Sequence, residues 1–194
     1  MLTIHRPQLQ TEGTQVRLSA RFDVDGAAGE LWFAVPEAHG AMLCPERADA
    51  FLVGLLVAAL AQGQDLRVLA PVSDRLFYTL TTYLIPVLCR LRPDFRPPAI
   101  ACEALDAGHL PTAGAVGTGV SCGIDSLYTI AEHTGANCPP AYRLTHLAYF
   151  NVGSHGRTVD GAPALFRQRL ERVRPCAAEI GLPLVPLDSN LGDL

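Results

Sequence analysis

From residue 115 onward the chain alternates two kinds of hydrophobic pattern, and this alternation restricts its possible folds more than any other feature. Residues 115–120 form a short run of small and apolar residues of strand length. Residues 124–133 have helical spacing, with Gly135 as a stop, and residues 144–152 read as a second strand. Ala162–Ile180 then carries Phe166, Leu170, Val173, Ala177 and Ile180 at helical spacing, with Pro175 expected to bend it, and residues 184–187 form a third short strand. Strands separated by helices predict an α/β fold. A parallel partner strand can be reached only by a long return connection, and such crossovers are right-handed.

The first half has a different pattern. Gln15–Val24 alternates, placing Val16, Leu18, Ala20, Phe22 and Val24 on one face; Asp25-Gly26 is a turn signal, and residues 30–35 return, so a β-hairpin is expected. Residues 45–62 are apolar nearly all round, the pattern of a buried helix. A strand at 66–72, a helix at 76–91 kinked at Pro86 and a strand at 98–105 follow. Gly, Pro and Thr between 108 and 114 mark a boundary. The expected organisation is therefore a smaller α/β region of unassigned role at 1–110 and a second domain at 111–194.

The chemistry concentrates where the first strand of that second domain meets its helix. Gly119, Ser121, Cys122, Gly123, Asp125 and Ser126 are small or polar. A glycine-containing turn lets several backbone N–H groups converge, and the helix N-terminus adds partial positive charge. The hydroxyls of Ser121 and Ser126 add donors. This matters because the chain contains no lysine, so a phosphate must be held without one. Asp125 is expected to cap the helix or help hold Mg²⁺.

The missing lysine excludes a Walker A loop, and the dinucleotide fingerprint fails because Cys122 stands where its third glycine belongs. Gly119-Val120-Ser121-Cys122-Gly123 does satisfy the nucleophile-elbow pattern G-x-S-x-G, which keeps a serine hydrolase using Ser121 as an alternative. The order of the remaining acids and histidines fits that chemistry poorly, since the last histidine, His155, precedes Asp160 and Asp188.

Ser121-Cys122-Gly123-Ile124-Asp125-Ser126 resembles the S-G-G-x-D-S signature of the PP-loop, or N-type, ATP pyrophosphatases, with Cys122 in place of the second residue, a glycine. The resemblance covers roughly residues 112–190 and implies a parallel sheet with helices on both faces, of the adenine nucleotide α-hydrolase-like kind. It implies ATP and Mg²⁺ as ligands, bound by Gly119, Ser121, Cys122, Gly123, Ile124, Asp125 and Ser126. The resemblance assigns Ser121, Asp125 and Ser126 to the reaction and Asp125 to the metal. It further implies that the Phe150-Asn151-Val152 backbone lies near adenine, and that His155 or Arg157 faces the phosphates or the substrate. The implied reaction is attack of a substrate oxygen on the α-phosphorus, loss of pyrophosphate, and capture of the adenylate by nitrogen or sulfur.

A formal net charge of −4 gives no general attraction to nucleic acid or anionic lipid, so a small-molecule acceptor is favoured over tRNA. The six cysteines form no C-x-x-C pair, and the first residues lack an apolar signal core. A cytoplasmic, reduced protein with free thiols and no membrane association is expected. The chain stops at Leu194, soon after the third strand, so a fragment, a homo-oligomer or a completing partner chain is a further expectation. A regulatory module that holds ATP without turnover is the non-enzymatic alternative.

Overall fold

A computed structural model describes residues 1–110, 115–154 and 162–194. The fold is α/β, with both parallel and antiparallel strand pairs, and the chain divides into two compact units.

The first unit comprises Met1–Thr11, Arg17–Trp32 and Ala41–His109. Its strands are β1 (Leu2–Ile4), β2 (Gln8–Glu12), β3 (Gln15–Val24), the first part of β4 (Ala27–Pro36), β5 (Leu66–Ser73) and β6 (Ile100–Asp106). β1 lies between β3, antiparallel, and β5, parallel, and β5 pairs in parallel with β6. The expected hairpin forms by β3 and β4 around Asp25 and Gly26, both at positive φ (49° and 87°), as a tight primed turn demands. The short β1 and the exposed β2 carry too few residues to show a period, and the sequence pattern missed both.

Helix α1 (Asp49–Gln62) buries Phe51, Leu52, Leu55, Leu56, Ala59 and Leu60. Each large side chain so buried contributes about 1.5–3 kcal/mol. The all-round burial expected of this segment does not hold, because Val53 and Val57 on the other side are 46% and 52% exposed. Gly63 ends the helix at φ 62°, the left-handed closure that a glycine adopts without Cβ strain. The Asp49 carboxylate accepts from the Ser73 amide (2.8 Å) and hydroxyl (2.7 Å), and Ser73 in turn caps α2 (Asp74–Thr79). A π-helical turn, Leu80–Leu84, separates α2 from α3 (Ile85–Leu91). It falls just before Pro86, whose nitrogen has no proton to donate and whose ring crowds the preceding turn, so the helix widens there.

The second unit comprises Glu12–Val16, Phe33–Gly40 and Leu110–Leu194. Its strands β7 (Gly117–Gly119), β8 (His146–Asn151) and β9 (Leu184–Ser189) pair in parallel in the order β7-β8-β9. The connecting helices are α4 (Ile124–Thr134) and α5 (Ala162–Ile180), and α5 continues through Pro175. β9 takes a second, antiparallel neighbour, the end of β4, through Phe33↔Ser189 and Ala34↔Asp188. This makes the sheet mixed, which the alternating pattern of the second half did not reveal. The core joins Val120, Ile130, Leu144, Leu147, Val173 and Ala177, with Leu147 fully buried. Gly135 caps α4 as expected, although in an extended rather than a left-handed conformation. Among the described residues no helix is long and apolar enough to cross a membrane.

Candidate functional site

Parallel pairing puts the carboxyl ends of β7, β8 and β9 on one edge, the edge where ligands bind in open α/β sheets. β7 is almost all small: a Cβ on Gly119 would stand 3.3 Å from the Phe150 ring, so the absence of a side chain lets that ring lie over the strand. The Val120 amide donates to Ala148 (2.9 Å), and the chain leaves the sheet at Ser121.

Three residues then turn the chain into α4. Cys122 sits at φ 58°, the left-handed region that non-glycine residues enter at a cost of about 1–2 kcal/mol. Gly123 is the N-cap and brings no side chain to the cap, so the first-turn amides of Ile124, Asp125 and Ser126 lie at the head of an 11-residue helix without intrahelical partners. The capping role expected for Asp125 is not what the turn uses: Asp125 lies within the first turn, and its carbonyl accepts from Thr129 (3.0 Å).

Ser121 and Ser126 lie side by side at the head of α4. Their hydroxyl oxygens are 3.3 Å apart. Ser126 Oγ donates to the Gly123 carbonyl (2.9 Å) and accepts from the Ser121 amide (3.4 Å), while Ser121 Oγ accepts from the Gly123 amide (3.3 Å). Two of the loop's amides are thus satisfied by its own hydroxyls. Both bonds are longer than the usual 2.7–3.2 Å for such pairs, and hydrogen bonds to a charged acceptor are roughly twice as strong as neutral ones.

Cys122 points into the unit, packing against the cluster that holds Val173 and Ala177. Burial foremost, and then a hydrogen bond shared with the Cys176 thiol, pushes its pKa up to about 11. A helix N-terminus favours a thiolate, but burial of Cys122 against the core acts in the opposite direction.

At the end of β8, Asn151 is buried and donates to Asp188 Oδ1 (2.7 Å), which also accepts from the Ser189 amide (2.9 Å). These two strand-end groups therefore hold β8 and β9 together. Gly153 (φ 106°) packs against Gly192 so closely that a Cβ on Gly192 would fall 2.4 Å from the Gly153 Cα. Phe150 and Val152 remain 41% and 37% exposed. His155 and Arg157 lie outside the described residues.

Sequence reasoning did not single out Leu127 and Tyr128. With Ile124 they form an exposed apolar face on the first two turns of α4, Ile124 at 82% and Tyr128 at 65% exposure. Their i, i+3, i+4 spacing was visible, but only the structure showed that this face is uncovered. A surface hollow of about 480 Å³ lies at the other end of α4 beside His133, Cys138 and Tyr142. It offers little chemistry, since His133 Nδ1 is 3.2 Å from the Tyr142 carbonyl and 3.9 Å from the Cys138 sulfur.

Nucleotide-bound magnesium usually takes phosphate oxygens, water and one or two carboxylates, and Asp125, in the first turn of α4, is the one carboxylate that the 121–126 loop carries. Among the described residues no group of three His, Cys, Asp or Glu side chains is placed to hold a metal by itself. No described histidine bonds to Ser121 Oγ, so the elbow reading lacks a general base among the described residues. No family model, curated protein or solved structure matches the chain.

Proposed function

We propose that the 121–126 loop binds the pyrophosphate end of ATP and that the protein is an ATP pyrophosphatase-type adenylating enzyme of the PP-loop kind. Its nucleotide domain, within 111–194, would be adenine nucleotide α-hydrolase-like, with helices on both faces of the sheet. One observation carries the reading: two hydroxyls and two amides converge within 3.5 Å at the head of a helix, on the carboxyl edge of parallel strands. In this site the amides of Ser121 and Gly123 and the hydroxyls of Ser121 and Ser126 take the β- and γ-phosphates. Helix charge substitutes for the absent lysine. Asp125 contributes to Mg²⁺, and the exposed Phe150, Val152 and Ile124 offer apolar surface to adenine.

Bound in this way, the triphosphate presents its α-phosphorus to a carbonyl or carboxylate oxygen of a small molecule. Pyrophosphate leaves, and a nitrogen or sulfur nucleophile then displaces AMP. Positioning and charge neutralisation supply the catalysis. The acidic composition favours a small-molecule acceptor over tRNA. Incubation with ATP and Mg²⁺ and a panel of carboxylates should release AMP and pyrophosphate in equal amounts. ATP affinity left intact by the triple change Ser121→Ala, Asp125→Ala, Ser126→Ala would refute the assignment.

A further inference from the structure

Side chains alternate along β3, so Leu18 and Ala20 enter the core of the first unit while Arg17, Ser19, Arg21 and Asp23 share the opposite face of the strand. The two outer members of that row are engaged. Arg17 pairs with Glu30 (3.0 Å) and lies 4.6 Å from the centroid of the Trp32 ring, and Asp23 Oδ2 is 2.5 Å from His5 Nε2. The two inner members differ: neither the Arg21 guanidinium nor the Ser19 hydroxyl has a hydrogen-bond or ion-pair partner among the described residues. Both line a hollow of about 310 Å³ on that face, bordered also by His5, Arg6, Gln8, Gln10 and Glu30. Ser19 is only 9% exposed, and a hydroxyl held in so buried a residue ordinarily has a partner.

The other charges around the hollow are matched. Arg6 Nη2 donates to both Glu103 oxygens (2.7 Å each), His5 is held by Asp23, and the Glu30 carboxylate is offset by Arg17. Arg21 is therefore the one cation of the lining that meets no anion among the described residues. Every side chain of the lining is polar, and the amides of Gln8 and Gln10, each with donors and an acceptor, have no bonds of their own among the described residues.

We propose that this hollow binds a small hydroxylated monocarboxylate. Its carboxylate takes the Arg21 guanidinium, whose planar donors match two oxygens, and the Ser19 hydroxyl donates to the same group. The amides of Gln8 and Gln10 hold the hydroxyls of the ligand. A single unmatched cation suits one negative charge better than the two of a phosphate, and the polar lining suits a polar body rather than an acyl chain. The site gives a role to the first unit and is independent of the 121–126 loop.

Gluconate, a hydroxylated monocarboxylate, is the probe, titrated calorimetrically into the full chain. Saturable binding, one molecule per chain, is expected. Arg21→Ala should weaken it about 10- to 100-fold and Ser19→Ala about 10-fold, the loss of hydrogen bonds to a charged group. Arg21→Lys, which keeps the charge but not the fork, should recover part of the loss. Arg90→Ala, which removes an exposed arginine of α3 outside the hollow, should bind as the parent does. Acetate, which lacks the hydroxyls, and inorganic phosphate should each bind more weakly than gluconate by about 10-fold or more. Absence of saturable gluconate binding, or affinity unchanged by both Arg21→Ala and Ser19→Ala, overturns the proposal. Phosphate binding as tightly as gluconate overturns the carboxylate assignment, and acetate binding as tightly overturns the role of Gln8 and Gln10. None of these outcomes depends on whether the protein binds ATP.

Discussion

Cys122 offers the sharpest test of the loop, because its backbone conformation reverses an ordinary preference. At an unstrained position alanine is more stable than glycine by about 0.5–1 kcal/mol, since glycine loses more conformational freedom on folding. At φ 58° an L-residue carries about 1–2 kcal/mol of steric cost that glycine does not. Both Cys122→Ala and Cys122→Gly remove the sulfur from its contacts with the core cluster, so that loss cancels between them. The alanine Cβ recovers part of one buried methylene, about 0.4 kcal/mol for a half-buried group. The sum places Cys122→Gly level with Cys122→Ala or better, by up to about 1 kcal/mol. Cys122→Val, β-branched, should be the least stable of the three. Urea unfolding at matched slopes measures the order, and the single tryptophan, Trp32, provides a fluorescence probe. Alanine exceeding glycine by 0.5 kcal/mol or more would refute the left-handed geometry of the turn. The glycine variant also restores the residue found at that position of the PP-loop signature, so it should bind ATP at least as well as the parent.

Three further outcomes are expected. Ser121→Ala and Ser126→Ala should each weaken ATP binding by about 10- to 100-fold in calorimetric titration, the loss of one hydrogen bond to a charged acceptor. Gly192→Ala should destabilise the second unit by about 1–3 kcal/mol in urea, because the new Cβ would lie 2.4 Å from the Gly153 backbone, which must move; an unchanged midpoint would disprove the close approach. The Gly108 amide foremost, and then the Arg47 guanidinium, hold the Asp106 carboxyl below its ordinary 3.8. Its contribution to stability is therefore complete above that value and lost as pH falls through the lower folded one, so Asp106→Asn should flatten the acid limb of the stability profile.

The sequence by itself determined the local elements of the second unit and the location of its loop. The 162–180 helix was legible from its spacing and the 115–134 strand-loop-helix from its change of period, because side-chain period follows from backbone geometry within a few residues. Ser121, Gly123 and Ser126 were identified for the same reason, since a turn between strand and helix demands small and polar residues. Tertiary structure alone decided which distant segments meet. The antiparallel pairing of Phe33 with Ser189 joins residues 156 positions apart (189 − 33), and no local pattern specifies such a partner. The bond between Asn151 and Asp188, the packing of Cys122 against the cluster that holds Val173 and Ala177, and the uncovered Ile124–Tyr128 face arise in the same way. Burial and pairing depend on everything that packs around a residue, whereas periodicity depends only on its neighbours in the chain.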